Sequence, residues 1–190
     1  QTETIERYVR EGKLVPDLVV PMSEHRTFKY FKEESLVRYA TEYGWTLIDD
    51  SNRKDMFMDM IRQMDMSYSY KPVLIKAILL YADDKGRIKL EDIVAYFRTY
   101  YEGRRVSGLV VEKKNSIFAK GGYTNKEAER NILSNPFKRF EDMQMLRHTK
   151  TLGVVQVDES VWKKLSKDEK AEIEQICDEK LDHYFSNMKS

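Results

Sequence analysis

The sequence predicts a mainly α fold with a minor β component: a winged-helix-like core carrying a small β-hairpin, with further helices at both ends. Three observations predict it. SYSYKPVLIKAILLY, residues 67–81, is the most apolar stretch of a chain that is 34% charged. Helical periodicity recurs on either side of a short strand-like RIKL and again further on. MLRHT and LGVVQVD, two apolar-rich runs around 146–157 separated by Lys150-Thr151, have hairpin spacing.

Each element has a local reason. IERYVREGKL near the N-terminus, residues 33–44 and residues 52–66 are helical in pattern, the last capped by Ser51 or Asn52. Lys71-Pro72 places a proline at the first helical position, where a missing N–H is harmless and a fixed φ helps. Val73 to Tyr81 is then apolar almost all round, the mark of a central core helix. DDKG ends it, with Gly86 as a left-handed stop. After RIKL, residues Leu90, Ile93, Val94, Phe97 and Tyr101 recur at helical spacing. Residues 103–123 hold four of the eight glycines and read as a long loop, with a strand at LVVE. Thr124 and Glu127 form a capping box for TNKEAERNILS, and Asn135-Pro136 restarts a short helix, NPFKRFEDM. A second capping box, Ser166 with Glu169, opens a helix striped by Ile173, Ile176, Cys177, Leu181 and Tyr184. The expected organisation is a helical flank over 1–69, the core over 70–157 and a C-terminal helix over 158–190. One departure from a plain helix-turn-helix stands out. About 3–4 residues usually join its helices; here roughly twenty do.

Composition bounds the function. The 33 Lys+Arg nearly cancel the 32 Asp+Glu, so charge placement rather than net charge carries information. Cys177 is alone, which excludes an internal disulfide and fits a reducing cytoplasm. No run approaches the roughly 18 apolar residues of a membrane span. No signal peptide is visible, and a chain opening on Gln1 suggests a piece excised from a longer protein.

Between residues 104 and 150 there are eleven Lys+Arg against five Asp+Glu; residues 158–182 reverse this, with nine acids and five lysines. Arg104, Arg105, Lys113, Lys114 and Lys120 fall on the loop, Lys126 and Arg130 on the third core helix, Arg147 and Lys150 on the hairpin. Those are the parts of a winged helix that face double-stranded DNA, where cations release counterions from phosphates. Lys126, Arg130 and Asn131 are placed to face outward from a helix whose buried stripe is Ala128, Ile132 and Leu133. The expected DNA-binding set is therefore Lys113, Lys114, Lys120, Lys126, Arg130, Asn131, Arg147 and Lys150. The bland alternative is a set of solvated faces on a protein-docking module.

Catalytic chemistry is sparse. His25, His148 and His183 are far apart and no His/Cys pair has metal spacing, so neither metal nor cofactor is expected. GRRVSG and KGGY lack the phosphate-loop spacing and read as turns. The remaining enzymatic candidate is a metal-dependent nuclease in which Glu112 and Lys114 sit two apart on a strand, with Asp92 upstream. Tyr96, Phe97, Tyr100 and Tyr101 have the spacing of core rather than of a stacking platform.

At SYSYKPVLIKAILLY and NILSNPFKRFEDM the chain resembles the C-terminal accessory region of bacterial DEAD/DEAH-type helicases linked to restriction and phage defence, over roughly residues 30–185. Its Lys-Pro helix start is similar, over a dozen residues, to DNA-reading modules of HNH-type restriction endonucleases. Neither resemblance brings a Walker motif, a DEAD box or an HNH cluster. It implies a parent that acts on DNA, with this chain as a non-catalytic module contacting the parent's other domains or subunits.

Overall fold

The computed structural model describes residues 2–23 and 26–188, the side chains of 2–4 and 26 excepted. The chain is mainly α with two small antiparallel sheets, and it forms two compact units, 1–49 and 50–190.

The first unit holds helix α1 (Thr2–Arg10), strands β1 (Leu18–Ser23) and β2 (Arg26–Tyr30), and helix α2 (Glu33–Tyr43). The hairpin is additional to the sequence reading. Its register pairs Leu18 with Tyr30 and Val20 with Phe28. Asp17 caps α2 from outside the helix, accepting from the Lys32 N–H at 2.7 Å and the Ser35 hydroxyl at 2.9 Å. Those hydrogen bonds hold its carboxyl below the usual range. Trp45 stacks on Tyr8 and Tyr43, with centroids 5.5 and 5.1 Å away.

The second unit begins with helix α3 (Arg53–Arg62), which packs on helices α9 (Glu159–Lys164) and α10 (Lys167–Asn187). Its centre is α4 (Tyr70–Tyr81), where Val73, Leu74, Ile75, Ala77 and Ile78 are all buried. The proline that opens the apolar run lies at the third helical position rather than the first. Its missing N–H still belongs to the orphan first turn. Gly86 does not stop this helix: the helix ends at Tyr81 with Ala82 as its extended C-cap, and Gly86 turns the chain into β3 (Arg87–Lys89) with φ +74°.

Helix α5 (Leu90–Val106) buries all five stripe residues. It runs past Gly103, so Arg104 and Arg105 are helical rather than in a loop, and GRRV is not a turn. Residues 109–112 form no strand. They belong to an irregular segment that contains one short helix, α6 (Ile117–Lys120), whose Phe118 is buried against Tyr101 at 4.6 Å between centroids.

Helix α7 (Asn125–Ile132) has its capping box, with Thr124 accepting from the Glu127 N–H and Glu127 accepting from the Thr124 N–H. It does not stop and restart at Pro136. A π turn, Leu133–Phe137, joins it to α8 (Lys138–Asp142) without a break. A proline lacks the N–H and crowds the carbonyl four residues back; a widened turn accommodates both. The hairpin of β4 (Leu146–Thr149) and β5 (Val154–Val157) then forms, with β5 central in a sheet of order β3-β5-β4.

Cys177 is fully buried on α10, and burial pushes its thiol up to about 12. The thiolate is the reactive form. Labelling with a thiol reagent at neutral pH is therefore expected to follow the unfolded fraction as urea is raised. A native-state rate within about tenfold of a free thiol would contradict that burial.

Candidate nucleic-acid interface

The eight residues picked out by sequence do not all line one hollow. Lys120, Arg130 and Asn131 come together in a hollow of about 430 Å³ between the α6 turn and helix α7. Lys150 lines a separate cleft with the start of α5 and the outer face of α7. Arg147 donates to the Gln156 side chain at 3.2 Å and borders a depression rich in acids, among them Asp50, Glu141 and Asp158. Lys113 borders a groove with Met64, Met66 and Tyr184, its ammonium 5.5 Å from the Tyr68 ring centroid. Lys114 and Lys126 are exposed outside these hollows.

Outward placement on α7 holds for Lys126 and Arg130, with Ala128 and Ile132 buried beneath. Asn131 departs from it, being half-buried with an Oδ1 that is sequestered and unpartnered. Leu133 is half-buried at the start of the π turn.

Ion pairing separates the cations into two groups. Lys54 pairs with Glu169 at 2.6 Å, Arg62 with Glu172 at 2.8 Å, Lys138 with Asp142 at 2.6 Å, and Lys76 with Asp178. Among the described residues, no carboxylate pairs with Lys113, Lys114, Lys120, Lys126, Arg130, Arg147 or Lys150. The first group is neutralised; the second keeps its charge for solvent or a ligand. Arg104 and Arg105 belong to neither a loop nor an open basic surface. Arg104 donates to the Val110 carbonyl at 2.8 Å and lies 3.4 Å from the Phe185 ring centroid, while Arg105 donates to the Phe118 and Ala119 carbonyls.

Glu112 is the residue whose sequence role changes most. It is 4% exposed. Its Oε2 accepts from the Ser69 N–H at 2.8 Å and the Ser69 hydroxyl at 2.5 Å, and its Oε1 from the Lys113 N–H at 2.8 Å and from the Tyr184 hydroxyl. Ser69 also meets the Tyr101 hydroxyl at 2.7 Å. Burial raises the Tyr101 phenol well above its ordinary value and also raises that of Tyr184, which the Glu112 carboxylate beside it reinforces. The carboxylate thus ties α4, α5, α10 and the irregular segment together. It shares no strand with Lys114, and Asp92 lies in the first turn of α5.

His148 packs edge-on to Phe137 and His183 faces Asn187 at 3.0 Å; His25 lies outside the described residues. Among the described residues no group of three His, Cys, Asp or Glu side chains is placed to hold a metal, and no helix is long and apolar enough to cross a membrane.

Compared with protein-family models, with curated proteins and with solved structures, the chain matches none of them.

Proposed function

We propose that the second unit is a non-catalytic, winged-helix-like module that binds double-stranded DNA as an accessory to a larger DNA-acting protein. The observation that carries this reading is that seven cations, Lys113, Lys114, Lys120, Lys126, Arg130, Arg147 and Lys150, make no ion pair among the described residues, whereas Lys54, Arg62, Lys76 and Lys138 are bridged to carboxylates. Support comes from the order of elements. A helix, a strand, a helix, a further helix and a hairpin run in sequence, and the strand pairs on the free side of the hairpin's β5. In this reading α7 presents Lys126 and Arg130 to the groove and the hairpin presents Lys150 to phosphate.

The test is fluorescence anisotropy of a labelled duplex with wild type and a Lys126→Glu/Lys150→Glu variant at two salt concentrations. Each phosphate contact removed lowers the slope of log K against log salt by about 0.9. The variant is expected to bind more weakly and to lose about two such contacts. Equal binding by both proteins, or no binding by wild type at low salt, overturns the proposal.

A protein-docking reading has an observation of its own in the first unit. Leu18, Phe28 and Tyr30 share one hairpin face and are 57%, 39% and 53% exposed. Exposed apolar faces of this kind mark interaction surfaces. DNA binding that fails in the titration leaves this reading in place.

A further inference from the structure

We infer that the hollow holding Lys120, Arg130 and Asn131 is a seat for a phosphomonoester, the phosphate found at a nucleic-acid end. This deepens the DNA-binding reading above and rests on it for the source of the phosphate. The hollow, of about 430 Å³, is shallow and open to solvent. Three of its donors, on Lys120, Arg130 and Gly122, have no partner among the described residues, and they stand beside two acceptors, the Glu127 carboxylate and the Asn131 Oδ1. Lys120 and Arg130 are exposed and form no ion pair among the described residues. The Gly122 N–H donates to no described carbonyl. The Asn131 Oδ1 is buried without a partner.

One carboxylate, Glu127, lines the hollow. Glu127 accepts the Thr124 N–H and the Thr124 hydroxyl, both at 2.8 Å, and those bonds hold its carboxyl below the usual range. The charge of Arg130 beside it helps to stabilise its ionised form. Gly121 and Gly122 adopt φ of +73° and +69°, and a Cβ on Gly122 would meet nothing within 4 Å, so the backbone is open to a close ligand there. Behind Gly121, the Arg105 guanidinium stands 3.3 Å from where a Cβ would sit, but it is bridged to Glu102 at 3.2 Å.

The chemistry discriminates between kinds of phosphate. An internal diester offers two free oxygens and one negative charge. A monoester offers three acceptor oxygens and a charge of about −1.5 to −2 at neutral pH. Two unpaired cations and a free backbone N–H in one hollow suit the second, since charge-assisted hydrogen bonds to phosphate are strong and an Arg fork can bind two oxygens at once.

The experiment compares two duplexes of one sequence, 5′-phosphorylated and 5′-hydroxyl, by anisotropy at fixed salt, with inorganic phosphate as a separate probe in thermal unfolding. Wild type is expected to bind the phosphorylated end about tenfold more tightly. A Lys120→Ala/Arg130→Ala variant is expected to lose that preference, whereas Lys126→Glu/Lys150→Glu keeps it while binding both duplexes more weakly. Circular dichroism checks that each variant is folded. Equal affinity of wild type for the two ends overturns the monoester seat and leaves DNA binding intact. If neither duplex binds, a Tm raised by inorganic phosphate in wild type but not in Lys120→Ala/Arg130→Ala removes the DNA reading and keeps the seat for a free monoester. No response to either probe overturns both.

Discussion

Glu112→Ala is expected to lower the folding stability of the second unit by about 3–5 kcal/mol, because several buried donors lose a charged acceptor at once. The Ser69 N–H and hydroxyl, the Lys113 N–H and the Tyr184 hydroxyl all converge on this carboxylate. Hydrogen bonds to a charged group contribute about 1.5–3 kcal/mol each, yet they share one acceptor and do not add in full. Tyr184→Phe removes a single donor from Oε1 and is expected to cost about 1–2 kcal/mol. Glu112→Gln keeps the shape but turns an NH₂ group toward existing donors, so it should fall between the two. Urea denaturation followed by tryptophan fluorescence ranks the three. A Glu112→Ala protein within about 1 kcal/mol of wild type would show that the carboxylate does not hold these elements together. A catalytic carboxylate on an open surface would behave in the opposite way, since its removal would leave stability unchanged.

Gly86→Ala is the second large effect, expected at about 3 kcal/mol from two sources. The first is backbone strain: φ is +74°, where a Cβ meets the following carbonyl at a cost of about 1–2 kcal/mol. The second is contact, since a Cβ there would lie 2.8 Å from Trp162 Cγ. The indole has little room to yield. Its Nε1 donates to the Asp83 carbonyl at 2.9 Å, and the Lys170 ammonium lies 3.7 Å from its ring centroid. Gly153→Ala provides the comparison, because φ there is +59° and nothing lies within 4 Å of the added atom. It isolates the backbone part, about 1–2 kcal/mol. Equal losses at the two positions in urea titrations would remove the Trp162 contact from the account.

Much of the helical framework was legible because it repeats a period. Leu90, Ile93, Val94, Phe97 and Tyr101 are spaced for one helical face and are all buried on it. Both capping boxes announce themselves over four residues and both form. The hairpin of 146–157 was legible from its two apolar runs. The first-unit hairpin was not, because LVVPM is apolar at successive positions and shows no period of two. Its strand is exposed on both faces, with only Val20 half-buried. The apparent loop from 103 misled for a different reason. Gly103 breaks the pattern, but Arg104 and Arg105 hold the helix in place through Phe185 and the Phe118 carbonyl, far along the chain. LVVE has strand-like composition, yet its Glu112 is drawn inward to Ser69, a partner forty-three positions away.

The candidate site was readable as a set of residues and unreadable as a shape. Positions of lysine and arginine are plain in the sequence. Which of them stay charged and open depends on carboxylates such as Glu169, 115 positions from the Lys54 it neutralises. The gathering of Lys120 with Arg130 and Asn131 depends on the turn at Gly121-Gly122, whose positive φ values set the chain back toward α7.

The unbroken helical run from Asn125 through Asp142 has a mechanical consequence. Pro136 widens one turn of this rod but puts no joint in it, and Pro136, Phe137 and Phe140 are buried along its second half. Only Met143 to Met145 separate the rod from β4, and Gln144 there takes a left-handed φ of 56° in a tight reversal closed by the Met145 N–H on the Phe140 carbonyl. A load applied to the exposed end of α7 therefore has no slack in which to dissipate before it reaches the root of the hairpin. Helix α7 and the hairpin are expected to tilt together rather than independently.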